Sequence, residues 1–323
     1  MTTSVALCCY NGERFIEDQL DSIISQSCPP DEIVLLDDCS RDRTADIAQR
    51  VLEAGGIRYR LIRNEENLGV KRSFVKCINA CRGDVIFTSD QDDIWQRDKI
   101  KHMMVEYATD PDCVFVFSNG ELVGAELEPL GNDVWSALNL RRAGLCDHVS
   151  QEKYRQLLMY YWAVPGTMMS FRSGFARKAF PIPAEGGWLH DSWLAITAPI
   201  YGNVAAIDKN LTLYRQHGKN TVGVKAVKRS GREEDITQIQ KVLFYLKRHR
   251  DRLKTLVEAK GEEMPADYRE EIGNYIKLFD ELSFYEDSSN IRKALFLMQR
   301  MADGKLKAFD IGRGDIFRYL LHF

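Results

Sequence analysis

Asp90-Gln91-Asp92-Asp93 puts two carboxylates one residue apart directly after the apolar run at residues 84–89. Carboxylates that leave a buried strand sit close together at low solvent exposure, where one protonates unless a cation neutralises the pair. A hard divalent ion bridging to phosphate oxygens meets that need with oxygen ligands. Three other apolar runs end in similar chemistry. Tyr10-Asn11-Gly12-Glu13 follows Val5–Cys9, the polar stretch Asp37 to Thr44 follows Glu32–Leu36, and Asn64 to Gly69 follows Ile57–Ile62. A lone Asp such as Asp42 is commonly a cap or turn residue; four clusters at successive run ends point to a ligand site. The chain has no G-x-x-x-x-G-K-[ST] loop, and no G-x-G-x-x-G follows its first run. A phosphate-bearing ligand must then rely on metal and side chains rather than a glycine cradle.

The clusters meet only if the runs are strands of one sheet. Between them lie helical patterns. Phe15, Leu20, Ile23 and Ile24 share one face of residues 14–25, which Pro29-Pro30 ends. Ala45, Ile47, Ala48, Val51 and Leu52 follow a cap at Ser40 or Asp42 and stop at Gly55-Gly56. Val70, Phe74, Cys77, Ile78 and Cys81 form a third face. Strand–helix alternation of this length predicts βαβ units and a mostly parallel α/β sheet with helices on both faces. Right-handed crossovers then bring the strand C-termini to one edge, where ligands of open α/β sheets bind.

From about Asp110 to Val224 the pattern is less regular, with strand-like runs at Cys113–Phe117, Gly166–Phe171, Val204–Ile207 and Leu211–Arg215. Beyond Lys225 it is helical to the end. Ile236, Ile239, Leu243, Leu246, Leu253 and Val257 form one stripe, interrupted at Arg250; Tyr268, Ile272, Tyr275, Phe279 and Leu282 form another. Such stripes are helix-packing faces or, on the sharper reading, a homodimer seam. The expected division is an α/β domain bearing the site over residues 1–224 and a C-terminal α-helical appendage over residues 225–323.

The 323 residues are 45% hydrophobic with a net charge of −3, enough apolar content for a packed core. No run of about 18 apolar residues is present, and the N-terminus lacks a basic n-region, which implies a cytoplasmic protein. Eight cysteines fall mostly in or beside apolar segments without paired knuckles, as reduced thiols do. A pI near 6.1 argues against a nucleic-acid binder. The charge is uneven, however: residues 224–254 carry ten Lys and Arg against four Asp and Glu. That basic segment is either a solvated face or a peripheral contact with anionic lipid at the inner membrane surface, helped by the apolar end at residues 315–323.

Tyr10-Asn11-Gly12-Glu13, Asp37-Asp38-x-Ser40-x-Asp42-x-Thr44, Asn67-Leu68-Gly69, Asp90-x-Asp92-Asp93 and Trp95 together resemble the inverting glycosyltransferases of family 2, of GT-A fold. The wording from Ser89 to Trp95 further resembles bacterial rhamnosyltransferase-like members. The resemblance implies that Tyr10, Asn11 and Glu13 frame the base and ribose of a nucleoside diphosphate sugar, with Asn67 in the same binding set. Asp38 would accept a hydrogen bond from uracil or thymine, Asp90 would approach the ribose or sugar, and Asp92 would ligate Mn²⁺ or Mg²⁺ on the diphosphate. Lys71 and Arg72 either touch phosphate or sugar or form a solvated helix start. Trp188 to Trp193 resembles the segment bearing the catalytic base, with Asp191 as base and His190 in place of the more usual acidic neighbour. Tyr214 to Asn220 resembles the C-terminal histidine element, so His217 would be a metal ligand or a diphosphate donor. Gly166-Thr167 resembles the glycine loop below the acceptor. Trp162, Trp188 and Trp193 offer flat faces to sugar rings or simply pack.

The implied function is metal-dependent single displacement of a sugar onto a hydroxyl of a bacterial polysaccharide or lipid-linked glycan. The donor is dTDP-L-rhamnose by preference, then a UDP-sugar. A catalytically inactive relative that binds glycan or scaffolds a complex is the rival. A phosphatase with a D-x-D nucleophile fits poorly, because its motif should head the chain rather than follow three βα units.

Overall fold

The structure is a computed structural model that describes residues 1–138, 140–141, 144–147, 149–160, 164–218 and 248–284. The first half runs β1 (Thr3–Cys9), α1 (Ile16–Ile24), β2 (Glu32–Asp37), α2 (Thr44–Ala54), β3 (Tyr59–Arg63), α3 (Gly69–Ala80), β4 (Val85–Ser89), β5 (Ile94–Trp95) and α4 (Lys99–Thr109). There follow β6 (Cys113–Val123), β7 (Pro129–Asp133), α5 (Val134–Ala137), α6 (Gln151–Tyr160), β8 (Met169–Arg172), α7 (Ser173–Ala179), α8 (His190–Tyr201) and β9 (Asn203–Arg215). Two further helices are α9, at residues 248–260, and α10 (Ala266–Phe284).

The strands form one sheet in the order β3-β2-β1-β4-β8-β6-β9-β5, with β7 paired to β6. Alternation along each strand divides the core into two layers, because successive side chains point to opposite faces. Val5, Leu7, Ile33, Leu35, Val85 and Phe87 pack against α1, α2 and α4. Ala6, Val34, Leu36, Ile86, Phe115 and Phe171 pack against α3, α6, α7 and α8. The four N-terminal strands are parallel and in step: Cys9 pairs with Asp37, Leu7 with Ser89 and Asp37 with Arg63. All four polar clusters therefore emerge at one edge. The other half is mixed, since β8 runs antiparallel to both β4 and β6.

Several boundaries differ from the sequence reading. The runs at 204–207 and 211–215 are one strand, because β6 pairs along nearly all of β9 despite shifts in register. Residues Gly166–Met168 form a 3₁₀ turn before β8 rather than part of it. Neither Ser40 nor Asp42 is the N-cap of α2; Arg43 is, while Asp42 Oδ1 accepts the Thr44 N–H at 3.0 Å.

A third core joins the C-terminal helices to the α/β part of the chain. Trp188, Trp193 and Ile196 are buried with Leu253 and Leu256 of α9 and Tyr268, Ile272 and Phe279 of α10. The Tyr268 hydroxyl also donates to the Ile196 carbonyl at 3.1 Å. The stripe at Tyr268, Ile272 and Phe279 thus packs within the chain rather than forming a dimer seam. Trp162, Ile236, Ile239, Leu243, Leu246, the side chain of Leu282, most of the basic segment and the apolar end lie outside the described residues. Among the described residues, no helix is long and apolar enough to cross a membrane.

Candidate active site

The floor of the site is two strand-end loops zipped together. The Asn11 N–H donates to Ser40 Oγ at 2.9 Å, and Asn11 Oδ1 accepts the Arg41 N–H at 2.9 Å. The Gly12 N–H donates to Thr44 Oγ1 at 2.7 Å, the Glu13 N–H to Asp42 Oδ2 at 3.2 Å, and Glu13 Oε2 accepts the Arg43 N–H at 3.1 Å. Gln91, inside the Asp90–Asp93 loop, pairs through its amide with the Tyr10 N–H at 2.8 Å and the Tyr10 carbonyl at 3.2 Å. That amide lies where a side chain at position 12 would begin: a Cβ on Gly12 would come within 2.2 Å of Gln91 Oε1. A larger residue there would push the Gln91 amide off the Tyr10 backbone. Tyr10 keeps its ring exposed, free to lie against a flat ligand.

Asp38 does not present an open carboxylate. Its Oδ1 accepts from Asn64 Nδ2 at 2.7 Å and the Leu68 N–H at 2.8 Å, and its Oδ2 accepts the Gly69 N–H at 2.9 Å. Burial on its own would raise its pKa, but these donors outweigh burial and hold it below the usual carboxylate range. Asp38 thereby staples the end of β2 to the start of α3, where Gly69 has φ 77°. Asn67 joins the staple, its Oδ1 accepting the Gly69 N–H at 3.1 Å. Lys71 is also engaged, donating from Nζ to the Pro183 carbonyl at 3.0 Å rather than standing at a solvated helix start.

Asp90, Asp92 and Asp93 crowd the end of β4. Burial, then the charges of Asp92 and Asp191, push Asp90 up to about 7, and Asp93 also lies well above the usual range. Lys99, fully buried beneath them, is the opposing charge. Its Nζ donates to the Thr167 carbonyl and, at 2.8 Å, to Thr212 Oγ1, and it lies 4.3 Å from the Trp95 ring centroid. Burial pulls the ammonium down to about 7 while Asp93 and Asp90 pull the other way. Sequence reasoning missed Lys99, although its position four residues after Trp95, before the buried Ile100 and Met103, marks a cation on an inward helix face.

Arg215, at the end of β9, was also missed. Its backbone N–H donates to Asp93 Oδ1 at 3.0 Å, its Nε to the Asp92 carbonyl at 2.7 Å and its Nη1 to the Ala125 carbonyl at 2.6 Å. Two residues on, His217 Nε2 lies 2.8 Å from Asp92 Oδ2. Phe15 supports both, stacked on the His217 ring at 4.7 Å and lying under the Arg215 guanidinium at 4.8 Å.

Across the edge, Gly166 and Thr167 are buried, tied down by the Thr88 hydroxyl at 2.5 Å from the Gly166 carbonyl and by Lys99. Asp191 opens α8, its Oδ1 accepting the Ser192 N–H at 2.6 Å, and its charge acts on Asp90. His190 stacks on Phe74 with centroids 3.7 Å apart. Burial pushes its pKa down to about 4, so the imidazole is neutral beside Asp191. Trp188 is 2% exposed and offers no face to the cleft; its Nε1 donates to Thr255 Oγ1 at 2.9 Å. Trp193 is likewise core, donating to the Ala179 carbonyl at 2.9 Å.

Among the described residues, no group of three His, Cys, Asp or Glu is arranged to hold a metal by itself. The pair Asp92 and His217 still suits Mg²⁺ or Mn²⁺, which take few protein ligands when phosphate oxygens complete the shell. The excess of carboxylate charge around Asp90 and Asp93 favours a cation at that point.

The glycosyl transferase family 2 profile matches residues 4–142. The chain is 31% identical over 227 residues to the dTDP-rhamnosyl transferase RfbG of Shigella flexneri, covering 66% of this chain and 72% of that one. It is 33% identical over 121 residues to TuaG of Bacillus subtilis (strain 168), named as a teichuronic acid biosynthesis glycosyltransferase. That match covers 38% of this chain and spans about half, 47%, of the relative. Among solved structures, S. aureus TarS 1–349 in complex with UDP-GlcNAc superposes with a TM-score of 0.62 at 16% identity, over 90% of this chain and 76% of that one. Mannosyltransferase PcManGT from Pyrobaculum calidifontis, in complex with GDP-Man and Mn²⁺, gives 0.53 at 17% identity, over 99% and 85%. At such identities the structural likeness speaks for the fold alone, and that fold is GT-A.

Proposed function

Because the chain belongs to glycosyltransferase family 2, we propose that it moves a sugar from a nucleoside diphosphate to a hydroxyl of a bacterial surface polysaccharide or lipid-linked glycan, with inversion. The observation that carries this reading is the Asp92–His217 contact at 2.8 Å, beside Asp90, on which the charges of both Asp92 and Asp191 act. Tyr10, Asn11, Glu13, Asp38 and Asn67 form the nucleotide side with Lys71 beside them, and Asp90 faces the sugar. Gly166 and Thr167 form the floor on the acceptor side. The division into a catalytic unit over residues 1–224 and an appendage over residues 225–323 is part of the same proposal, as is a cytoplasmic setting with the basic segment on an anionic membrane surface.

In the reaction, the Asp191 carboxylate takes the proton of the acceptor hydroxyl. The acceptor oxygen bonds to the anomeric carbon as the bond from that carbon to the diphosphate breaks, and the nucleoside diphosphate leaves with the electron pair. Without a protein nucleophile the displacement is single, hence inverting. Asp92 and His217 would hold Mn²⁺ or Mg²⁺, which supplies Lewis-acid stabilisation of the departing diphosphate. Likeness to RfbG favours dTDP-L-rhamnose as donor, with UDP-sugars second.

A thermal-shift panel of nucleotide sugars with and without Mn²⁺ tests the reading, since a ligand that binds the native state raises the melting temperature by mass action. The expected result is a metal-dependent shift for dTDP-L-rhamnose, followed by slow release of dTDP. A chain stabilised by no nucleotide sugar, or stabilised without ever turning one over, is a binding relative rather than an enzyme.

A further inference from the structure

The ten residues between α7 and α8 are held from two sides that are remote in sequence. Lys71 of α3 takes the Pro183 carbonyl at 3.0 Å. Arg252 of α9 takes the other end, its Nε donating to the Gly186 carbonyl at 2.8 Å and its Nη2 to the Gly187 carbonyl. One planar guanidinium can fork to two successive carbonyls because Gly186 and Gly187 adopt φ 76° and 59°, a left-handed pair that turns the backbone toward α9. The same guanidinium lies over the Trp188 ring at 4.6 Å, and Trp188 Nε1 donates to Thr255 Oγ1, one turn along α9. Thr255 in turn donates to the Arg252 carbonyl at 2.8 Å. Three residues beyond Trp188 stands Asp191. Arg252 is buried and still cationic: burial and Arg248 lower its pKa to about 10, and the charge of Asp191 acts in the opposite sense.

We propose that Arg252 is a positioning residue for the transfer reaction. Through the Gly186–Gly187 carbonyls and the face of Trp188 it sets the first turn of α8, and with it the direction of Asp191. The inference rests on the reading of Asp191 as the base and adds the C-terminal helices to the machinery. A guanidinium that fixes two carbonyls and one ring three to five residues before the base limits where that base can point. Misplacement of a reacting group by about 1 Å costs on the order of 100-fold in rate. The nucleotide side is built from the loops that follow β1 to β4, shares none of the Arg252 contacts given above, and should not register the change.

The test uses the full chain, with dTDP-L-rhamnose and UDP-N-acetylglucosamine in turn as donors, Mn²⁺ present and water as acceptor. Release of nucleoside diphosphate gives kcat and the donor KM, and calorimetric titration with dTDP or UDP gives nucleotide affinity. Arg252→Ala should lower kcat by about 10- to 100-fold and leave donor KM and nucleotide affinity within about threefold. Arg252→Lys, which keeps the charge but reaches one carbonyl, should recover part of the loss. Thr255→Val, which releases Trp188 Nε1 and the hydroxyl bond to the Arg252 carbonyl but leaves the guanidinium on both glycine carbonyls, should give a smaller kcat defect of the same kind. Hydrogen exchange in Arg252→Ala should quicken over residues 185–193 and not over residues 85–95. Unchanged kcat in Arg252→Ala, or parallel loss of kcat and nucleotide affinity, overturns the inference while leaving the family reading intact. A wild-type chain that releases no nucleoside diphosphate from either donor overturns both.

Discussion

His217 Nε2 lies 2.8 Å from Asp92 Oδ2, although 125 residues of chain separate them. The contact exists because β5, two residues after Asp92, pairs antiparallel with β9, Ile94 against Leu213 and Trp95 against Thr212. Arg215 then holds the same loop, its backbone N–H on the Asp93 carboxylate and its Nε on the Asp92 carbonyl.

The pair predicts a shared loss. Asp92→Ala and His217→Ala should each abolish the Mn²⁺-dependent part of nucleotide stabilisation. At about 100 times Kd that part amounts to about 2.7 kcal/mol. Melting temperatures with dTDP, with and without Mn²⁺, measure it directly. A His217→Ala chain that keeps the full metal-dependent shift removes His217 from the metal.

Asp191→Asn separates chemistry from binding. Loss of a general base costs about 10²- to 10⁴-fold in kcat, while nucleotide affinity should stay within a few-fold, since no nucleotide-side residue bonds to Asp191. Near-normal turnover in this variant would sink the base assignment.

Asp38 and Glu32 set an acid limit on stability. Burial opposes the charged form of each. In Asp38 it is outweighed by Leu68, Asn64, Ser73 and Gly69, and in Glu32 by Ser4, Arg82 and Arg60, so both pKa values lie below the usual range. A carboxylate of lowered folded pKa contributes stability that is complete above its unfolded value near 4 and is lost as pH falls through the folded value. Asp38→Asn should therefore cost about 2 kcal/mol at pH 7. The difference in urea midpoint from wild type should shrink below about pH 4. A gap that stays constant from pH 7 to pH 2 contradicts the account.

Lys99→Met removes the buried charge that acts on Asp90 and Asp93. It also leaves the buried Thr167 carbonyl and Thr212 hydroxyl without their donor, which costs about 1–3 kcal/mol for an unsatisfied buried group. Asp93→Asn in the same chain should return part of that loss, and a double-mutant cycle in urea measures the coupling. Strict additivity of the two substitutions would show that Lys99 and Asp93 do not interact.

The donor half of the site was legible because its signals are local. Each polar cluster directly follows an apolar run, and the parallel register of β1 with β2 and β4 does the rest. What escaped was set by distant packing. Asp38 reads as an open carboxylate until the Leu68 and Gly69 N–H groups, thirty residues on, are folded onto it. Trp188 reads equally as a sugar platform or as core; only α9, more than fifty residues downstream, decides for core. The polar residues Asp208, Lys209 and Asn210 read as a break between two strands, yet β9 continues through them because its exposed side tolerates polar side chains. Lys99 had a visible signal in its inward helical position but no visible partners, since Thr167 and Thr212 are both distant in sequence.

The core shared by α8, α9 and α10 bears on how this chain can be shortened. A product ending at residue 224 would contain every proposed catalytic side chain and the whole sheet. It would also turn Trp188, Trp193 and Ile196 toward water, since Leu253, Leu256, Tyr268, Ile272 and Phe279 now cover them. A contiguous aromatic patch of that kind drives association between molecules. The smallest soluble unit is thus longer than the stretch that bears the proposed reacting groups, and the difference is the cover over the back of the helix that carries Asp191.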